Sequence, residues 1–140
     1  MSSFDLVLAS NVLHATADLR ATLAHVGSLL GPQGLLVLVE GTKPRRFIDL
    51  IFGMLDGWWQ FGDHDIRPSH PLVSAETWQG LLRDTGFSEV IAVHPNIDEP
   101  LFEQTLLVAR APAIRPAPEE SAGRHWLVLS DASGAGRRHW

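Results

Sequence analysis

The stretch FDLVLASNVLHATADLRATLAHVGSLLGPQGLLVLVE, residues 4–40, decides the fold of this protein. It opens and closes with short apolar runs, residues 4–10 and 35–40, which are typical of strands buried on both faces of a parallel sheet. Between them leucine and valine recur at helical spacing, from an expected N-cap at Thr16 to a helix end at Gly31-Pro32. Strand, helix and strand with short connections predict a right-handed βαβ unit, and so an α/β fold.

The residues after this unit predict further helices and an antiparallel edge to the sheet. Residues 47–55 have apolar side chains on most of a helix surface, so something must cover this helix. The irregular residues 56–71 have the length of a lid or binding loop. A helix capped by Ser74 follows. Residues 87–94 and 103–110 are two strands that we expect to pair antiparallel, at the edge of a mostly parallel sheet.

The composition is that of a globular protein and excludes several functions. The chain has 140 residues, enough for one domain with a core, and its net charge of −5 gives no reason to expect nucleic acid as a partner. The absence of cysteine excludes disulfides and thiolate metal sites and fits a reducing compartment. The sequence shows no membrane span and no signal peptide. We therefore expect a cytoplasmic protein with neither a membrane nor a nucleic-acid partner.

The end of the chain differs in composition and predicts a domain boundary. Residues 111–123 are rich in proline and poor in large apolar residues, as in a linker. Residues 126–131 are another apolar run, and the two glycines that follow it predict the first strand and Gly-rich turn of a second Rossmann-like domain. We therefore expect a domain of residues 1–110, a linker, and a truncated second domain of residues 124–140.

Two polar residues follow the predicted parallel strands. His14 comes shortly after the first strand, and Glu40 ends the second. Open α/β sheets place ligand crevices at the carboxyl ends of their strands, so we expect the two side chains to lie close together. A histidine suits general base catalysis near neutral pH, and a carboxylate on its other ring nitrogen would orient it. The alternatives are a loop or capping role for His14, and for Glu40 a helix cap or contact with solvent.

Residues 4–42 resemble the later half of class I S-adenosylmethionine-dependent methyltransferases. Their turn, Leu30-Gly31-Pro32-Gln33-Gly34, is similar to the Leu-Lys-Pro-Gly-Gly turn that this family has before its fifth strand. A narrower resemblance covers residues 4–110, which are similar to the C-methyltransferase domains of polyketide synthases. Four segments carry it, in the same order and at similar spacing: Ala9-Ser-Asn-Val-Leu-His-Ala-Thr16, Val39-Glu40, Gly57-Trp58-Trp59, and Pro71-Leu-Val-Ser74 up to Trp78.

The resemblance implies a partial Rossmann-like methyltransferase fold. It also implies a domain that uses S-adenosyl-L-methionine to methylate the α-carbon of a β-ketoacyl thioester on an acyl carrier protein. In that family a histidine after the fourth strand and a glutamate at the end of the fifth form the catalytic dyad, and by motif position these are His14 and Glu40. Ser10 and Asn11 are placed to line the cofactor crevice, the alternative for Asn11 being an Asx-type turn.

The irregular loop contains further candidates. Trp58 and Trp59 are interpreted as hydrophobic anchors of a lid over the substrate. Arg67 is assigned to the same substrate or lid group, in contact with the phosphopantetheine of a carrier protein or with water. The segment Asp63-His64-Asp65 with His70 matches no standard metal-ligand spacing, so we predict no metal site.

In the family that the chain resembles, most of the cofactor-binding residues lie upstream of the matched residues. They are a Gly-rich loop after the first strand and an acidic residue on the second strand. No Gly-rich loop precedes Phe4 in this chain. We therefore expect this chain alone to bind S-adenosyl-L-methionine poorly, to be inactive, and to need the N-terminal half of the domain as a partner. The first strand would then lack a neighbour at one edge. Residues 126–136 resemble the opening of a ketoreductase-type domain.

Three hypotheses follow from the residues and the resemblance. The first is a fragment of an active C-methyltransferase domain, which the intact pair of His14 and Glu40 favours. The second is an inactive pseudo-methyltransferase remnant that serves as a structural spacer. The third is another class I small-molecule methyltransferase, or an α/β binding module without catalysis.

Overall fold

A mixed β-sheet is the centre of the structure, a computed structural model in which residues 4–94, 103–111 and 127–129 are described. The elements are β1 (Phe4–Ser10), α1 (Leu19–Leu29), β2 (Leu30–Gly41), α2 (Arg46–Phe52), α3 (Ala75–Asp84), β3 (Ser88–Val93), β4 (Gln104–Arg110) and β5 (Leu127–Leu129). The strands are ordered β3-β4-β2-β1-β5 across the sheet. The predicted α/β fold is confirmed.

The βαβ unit at the start of the chain is present. β1 and β2 are parallel neighbours, paired from Leu6 with Leu35 to Ser10 with Val39, and α1 connects them. Because the strands are parallel, their carboxyl ends lie at the same edge of the sheet. The residues that follow β1 are thereby placed next to the end of β2.

Two boundaries of this unit differ from the prediction. The N-cap of α1 is Asp18, whose side chain accepts the Ala21 N–H at 2.9 Å, and the expected cap, Thr16, instead donates its hydroxyl to the Leu13 carbonyl. Both residue types cap helices well, so the position where the preceding turn ends decides between them. β2 begins at Leu30 rather than five residues later, since Leu30 already pairs with the start of β1.

The predicted antiparallel edge is also confirmed. β4 pairs antiparallel with β2 on one side and with β3 on the other. α3 is capped by Ser74, as predicted, and leads into β3. Between them Gly86 has a φ of 94°, in the left-handed region that glycine adopts without steric cost.

One face of the sheet forms the core. Val7 and Ala9 of β1 are fully buried on this face, as the alternation of side chains along a strand requires. Apolar residues of β2, β4, α1 and α3 complete a single cluster, in which Trp78 is the largest fully buried side chain. Its other members include Leu19, Leu23, Val26, Leu36, Leu38, Leu81, Leu82, Leu107 and Ala109.

The opposite face of the sheet is only partly covered by the described residues. Leu8 of β1 is 39% exposed on this face, and Ile91 and Val93 of β3 are 57% and 50% exposed. β1 was expected to be buried on both faces. The described helices α1 and α3 cover one face only, so this expectation is not met.

α2 is shorter than the predicted helix over residues 47–55. It ends at Phe52, and the Gly53 N–H still donates to the Asp49 carbonyl at 2.8 Å. Any side chain at Gly53 would collide with that carbonyl. Ile48 is buried, but Leu50 and Met54 are 72% and 80% exposed. The apolar surface that something was expected to cover is therefore exposed among the described residues.

Three residues near the C-terminus extend the sheet. β5 pairs in parallel with β1, with Leu127 opposite Val7, so the strand edge that was expected to lack a neighbour has one. The rest of the predicted linker and second domain lies outside the described residues, and the division of the chain after residue 110 stays a prediction. No helix in the described ranges is long and apolar enough to cross a membrane.

We expect Ser74→Ala to lower the free energy of unfolding by about 1 kcal/mol at neutral pH, because the Ser74 hydroxyl accepts the Thr77 N–H at the start of α3. A hydrogen bond from the same hydroxyl lowers the pKa of Glu76. A lowered carboxyl pKa adds stability above the unfolded-state pKa of about 4.3, and this stability is lost as the pH falls through the folded-state value. Urea unfolding should therefore show a smaller effect of the substitution in acid.

The control for this prediction is Ser69→Ala. Ser69 is exposed, and no side-chain hydrogen bond forms at it within the described ranges. Equal destabilisation by the two substitutions would contradict the capping role of Ser74.

Candidate active site

A buried carboxylate ends the second strand of the βαβ unit. Glu40 of β2 has no exposed surface, although an ionised carboxylate is costly to bury unless it is paired. Its Oε1 atom accepts two backbone N–H groups, from Val12 at 3.1 Å and from Leu13 at 2.8 Å. Its Oε2 atom lies 2.5 Å from Nδ1 of His14. All of these hydrogen bonds come from the segment that follows β1.

The same contacts define the state of the His14 imidazole. His14 lies in a 3-10 turn, Leu13–Ala15, and is 9% exposed. Since an ionised carboxylate only accepts hydrogen bonds, Nδ1 carries the proton of the neutral ring and Nε2 presents a lone pair. Among residues 4–94 and 103–111, no group forms a hydrogen bond with Nε2. The structure thus brings His14 and Glu40 together in an arrangement that can take up a proton, and their catalytic role stays a prediction.

A buried ion pair supports this turn from the other side. Arg67 has no exposed surface, and it donates from Nη1 to the His14 carbonyl and from Nη2 to the Thr16 carbonyl, both at 2.8 Å. Its Nε pairs with Asp63 at 2.5 Å. The expected contact of Arg67 with phosphopantetheine or water is therefore corrected. The side chain lies inside the protein, where it supplies donors to carbonyls that a tight turn leaves unpaired.

Asp63 joins the irregular loop to the start of α1. Its second oxygen accepts the Leu19 N–H at 2.9 Å, so one carboxylate pairs with Arg67 and binds the first N–H group of α1. On the adjacent surface, Arg20 of α1 pairs with Asp65 at 2.7 Å, and this hydrogen bond holds the pKa of Asp65 below its usual range. Sequence reasoning missed this role for Asp63, because residues 63–67 lie in an irregular loop, where spacing along the chain does not predict side-chain contacts.

Trp58 lies beside the candidate base. Its indole makes an edge-to-face contact with the His14 imidazole, with ring centroids 5.6 Å apart at 73°, and stacks on Phe52 at 5.5 Å. Trp59 is 45% exposed and donates its indole N–H to the Gly53 carbonyl. Of the two tryptophans expected to anchor a lid, Trp58 is the one next to His14. The lid itself stays a prediction.

Ser10 and Asn11 lie at the same edge of the sheet, after β1. Ser10 is exposed and Asn11 is half-buried, with a φ of 50°. The Asn11 N–H donates to the Val39 carbonyl at 2.7 Å, and its Oδ1 accepts the Gly41 N–H at 3.2 Å. Both hydrogen bonds join Asn11 to β2, whereas the side chain in an Asx-type turn bonds to the backbone two residues further along its own segment. Within the described ranges the Asn11 side-chain NH2 and the Ser10 hydroxyl have no partner, and their contact with a cofactor stays a prediction.

A family model described as a methyltransferase domain matches residues 2–93 of the chain. Among curated relatives, the highly reducing polyketide synthase ALT1 of Alternaria alternata is 44% identical over 137 residues, 95% of this chain and 5% of that protein. The polyketide synthase ThaQ of Burkholderia thailandensis is 47% identical over 90 residues, 64% of this chain and 4% of that protein. The chain therefore spans about 5% or less of the length of these relatives.

Solved structures agree with the family match. The CurJ carbon methyltransferase is 48% identical with a TM-score of 0.71, over 77% of this chain and 29% of that chain. The trans-methyltransferase CalH, solved in complex with SAH, is 34% identical with a TM-score of 0.69, over 79% of this chain and 30% of that chain. The DszA carbon methyltransferase is 38% identical with a TM-score of 0.72, over 83% of this chain and 31% of that chain.

We expect Arg67→Ala to lower the free energy of unfolding by about 3–5 kcal/mol, because it leaves the buried Asp63 carboxylate without its cation. Arg20→Ala breaks the exposed pair with Asp65 and is the matched control, with a far smaller expected loss because water screens an exposed ion pair. Urea unfolding measures both. A loss for Arg67→Ala no larger than that for Arg20→Ala would show that the buried pair does not stabilise the turn.

Proposed function

The chain belongs to the methyltransferase domain family, and on this premise we propose that it forms the proton-removing half of a polyketide synthase C-methyltransferase domain that uses S-adenosyl-L-methionine. The similarity to polyketide synthases and to solved carbon methyltransferases supports the reaction class. The SAH complex of the similar CalH supports the cofactor. Because the chain covers 29–31% of those solved chains, the remainder of the domain is proposed as its necessary partner.

The observation that carries the proposal is the hydrogen-bonded pair of His14 and Glu40. His14 Nε2 removes the α-proton of a β-ketoacyl thioester, and the two flanking carbonyl groups of the substrate delocalise the charge of the resulting enolate. Glu40, 2.5 Å from Nδ1, keeps the other ring proton in place and stabilises the imidazolium that forms. The imidazolium then returns its proton to water, which completes the cycle at the base.

The unpaired polar groups of Ser10 and Asn11 fit a ligand at this edge of the sheet. S-adenosyl-L-methionine supplies an electrophilic methyl group when it is bound. Ser10 and Asn11 are proposed to hold one side of it, because their hydroxyl and amide groups lie at the carboxyl end of β1, where open α/β sheets bind ligands. The enolate carbon would then attack this methyl group, so that the carbon–sulfur bond of the sulfonium breaks as the carbon–carbon bond forms and the neutral thioether leaves.

The substrate is proposed to arrive as a thioester on an acyl carrier protein, which the similarity to polyketide synthases supports. Trp58 contributes a wall beside His14, and so excludes water from one side of the imidazole. Burial of the base and its orienter lowers the local dielectric constant, which strengthens the interaction between the imidazolium and Glu40.

A pseudo-methyltransferase that serves as a structural spacer is the second candidate. The contacts of Glu40 favour it in one respect, since the carboxylate stabilises the turn after β1 through Val12 and Leu13 whether or not catalysis occurs. A class I methyltransferase acting on another small molecule is the remaining alternative. Turnover measured with a β-ketoacyl thioester and with unrelated small molecules separates all three.

We expect His14→Ala to slow methyl transfer by about 10²- to 10⁴-fold, since it removes the general base. The assay measures methylation of a β-ketoacyl carrier-protein thioester by the complete protein that carries this chain. Binding of S-adenosyl-L-methionine, measured by calorimetry, should be retained, because His14 acts on the substrate. The control is His25→Ala, at an exposed position of α1.

The outcomes of the His14 experiment separate the hypotheses. Unchanged turnover in His14→Ala would refute the base assignment. An unaltered protein without turnover on any β-ketoacyl thioester would support the structural spacer, and transfer to an unrelated small molecule would support the other methyltransferase class.

Glu40→Gln tests the orienting role separately. The glutamine oxygen can still accept the N–H groups of Val12 and Leu13, but its NH2 group faces Nδ1 as a second donor. The imidazole must then carry its proton on Nε2, where it cannot act as a base. We expect kcat to fall by about 10³- to 10⁴-fold with little change in KM. Glu103→Gln, which alters ion pairs with Lys43 and Arg45, both at 3.5 Å and away from His14, is the matched control and should leave kcat unchanged.

A further inference from the structure

We propose that Asp49 and His70 are positioning residues that hold the Trp58 indole against the His14 imidazole. The proposal rests on the proposed function, because it gives these residues a role through the base. Neither Asp49 nor His70 belongs to the pair that handles the proton. They lie on two separate segments, α2 and the residues before α3, and Trp58 lies on the loop between them.

One carboxylate oxygen joins the three side chains. Asp49 Oδ1 accepts the Trp58 indole N–H at 3.3 Å and bonds to His70 Nε2 at 2.9 Å. Its other oxygen has no hydrogen bond to another residue within the described ranges. The side chains of His70 and Asp49 are 15% and 32% exposed, so the contact is largely shielded from solvent.

The backbone determines which nitrogen of His70 carries the proton. His70 Nδ1 accepts the Leu72 N–H at 3.0 Å, and an acceptor nitrogen carries no proton. The proton of the neutral ring is therefore on Nε2 and is donated to Asp49. The Leu72 N–H therefore donates to His70, and His70 and Trp58 both donate to Asp49. The other tautomer of His70 could form neither of its two hydrogen bonds.

Ring contacts transmit this arrangement to the base. The Trp58 ring meets the His70 ring edge-to-face at 6.1 Å and 88°, and it meets the His14 ring at 5.6 Å and 73°. Phe52 stacks on the indole from α2. Trp59 also meets the indole edge-to-face, at 6.4 Å. The indole is therefore held by its N–H group at Asp49 and by four rings, with His14 as one of them. Aromatic pairs in such edge-to-face geometry attract one another beyond simple burial.

Loss of the Asp49 acceptor would leave the indole N–H without a partner and free to turn towards solvent. His14 would keep its bond to Glu40, because that bond does not involve Trp58. We therefore expect a displaced Trp58 indole beside an intact hydrogen bond between His14 and Glu40. For a general base, displacement of the groups that position the substrate lowers kcat by about 10- to 100-fold.

The first test uses nuclear magnetic resonance on this chain and needs no turnover. In the unaltered chain we expect a nuclear Overhauser effect between the Trp58 indole and His14 imidazole protons, and slow exchange of the Trp58 indole N–H. Asp49→Ala and His70→Ala should remove the effect and speed the exchange. Asp49→Asn should preserve both, because its carboxamide oxygen can accept the same two donors while its NH2 group occupies the position that has no partner.

Asp56→Ala is the matched control, since Asp56 is an exposed acid of the same loop. A persistent contact between Trp58 and His14 in folded Asp49→Ala would overturn the proposal. If that variant does not fold, Trp58→Phe replaces it, because phenylalanine keeps an apolar ring and lacks only the indole N–H and its second ring. Retention of the ring contact with His14 in that variant would also overturn it.

The second test uses the methyl-transfer assay of the complete protein. Asp49→Ala should lower kcat by about 10- to 100-fold with a smaller change in KM, and Asp49→Asn should restore it. A purely structural role would instead lower thermal stability in Asp49→Asn and Asp49→Ala alike without the recovery of kcat. If the unaltered protein transfers no methyl group, the proposed function fails, while the resonance measurements still decide whether Asp49 and His70 position Trp58.

Discussion

The carboxylate of Glu40 has no exposed surface, and the turn after β1 is arranged around it. A charge removed from water requires hydrogen bonds in compensation, and here they come from three consecutive residues, Val12, Leu13 and His14. The parallel pairing of β1 and β2 makes this possible, because it brings the ends of both strands to one edge. The contact that compensates the buried charge also determines the tautomer of His14. Folding of the turn and its candidate chemistry therefore depend on one side chain.

The irregular loop supports the same turn through residues far away in sequence. Arg67 supplies donors to the His14 and Thr16 carbonyls, and Asp63 neutralises its charge and accepts the first N–H group of α1. The guanidinium also lies 5.0 Å above the Phe61 ring, a cation–π geometry that favours its burial. The backbone of His14 is thus held by one buried ion pair and its side chain by Glu40. Such support leaves the imidazole little freedom to reorient, as expected of a group that must meet a substrate in one geometry.

The two faces of the sheet differ in how far the described residues cover them. α1 and α3 cover one face, while Leu8 and Ile91 on the other are 39% and 57% exposed among the described residues. Solved carbon methyltransferases similar to this chain are about three times its matched length, since it covers 29–31% of them. The described residues hold the proposed base, its proposed orienter and the side chains that contact them. In the proposed function, proton removal depends on this part of the domain, and cofactor binding depends mostly on the remainder.

The sequence by itself determined the elements whose signals are local. Apolar runs and helical spacing predicted β1, α1 and β2, Ser74 predicted the start of α3, and the antiparallel edge followed from two short strands. The proximity of His14 and Glu40 also followed, because the adjacent strands of a βαβ unit are parallel and their carboxyl ends lie at one edge of the sheet. Tertiary structure alone decided which polar side chains are internal. Arg67 and His70 are no different in sequence from surface residues, and their partners at His14 and Asp49 lie 53 and 21 residues away. Spacing within one element cannot show such contacts, because the energy that selects them comes from burial in the folded chain.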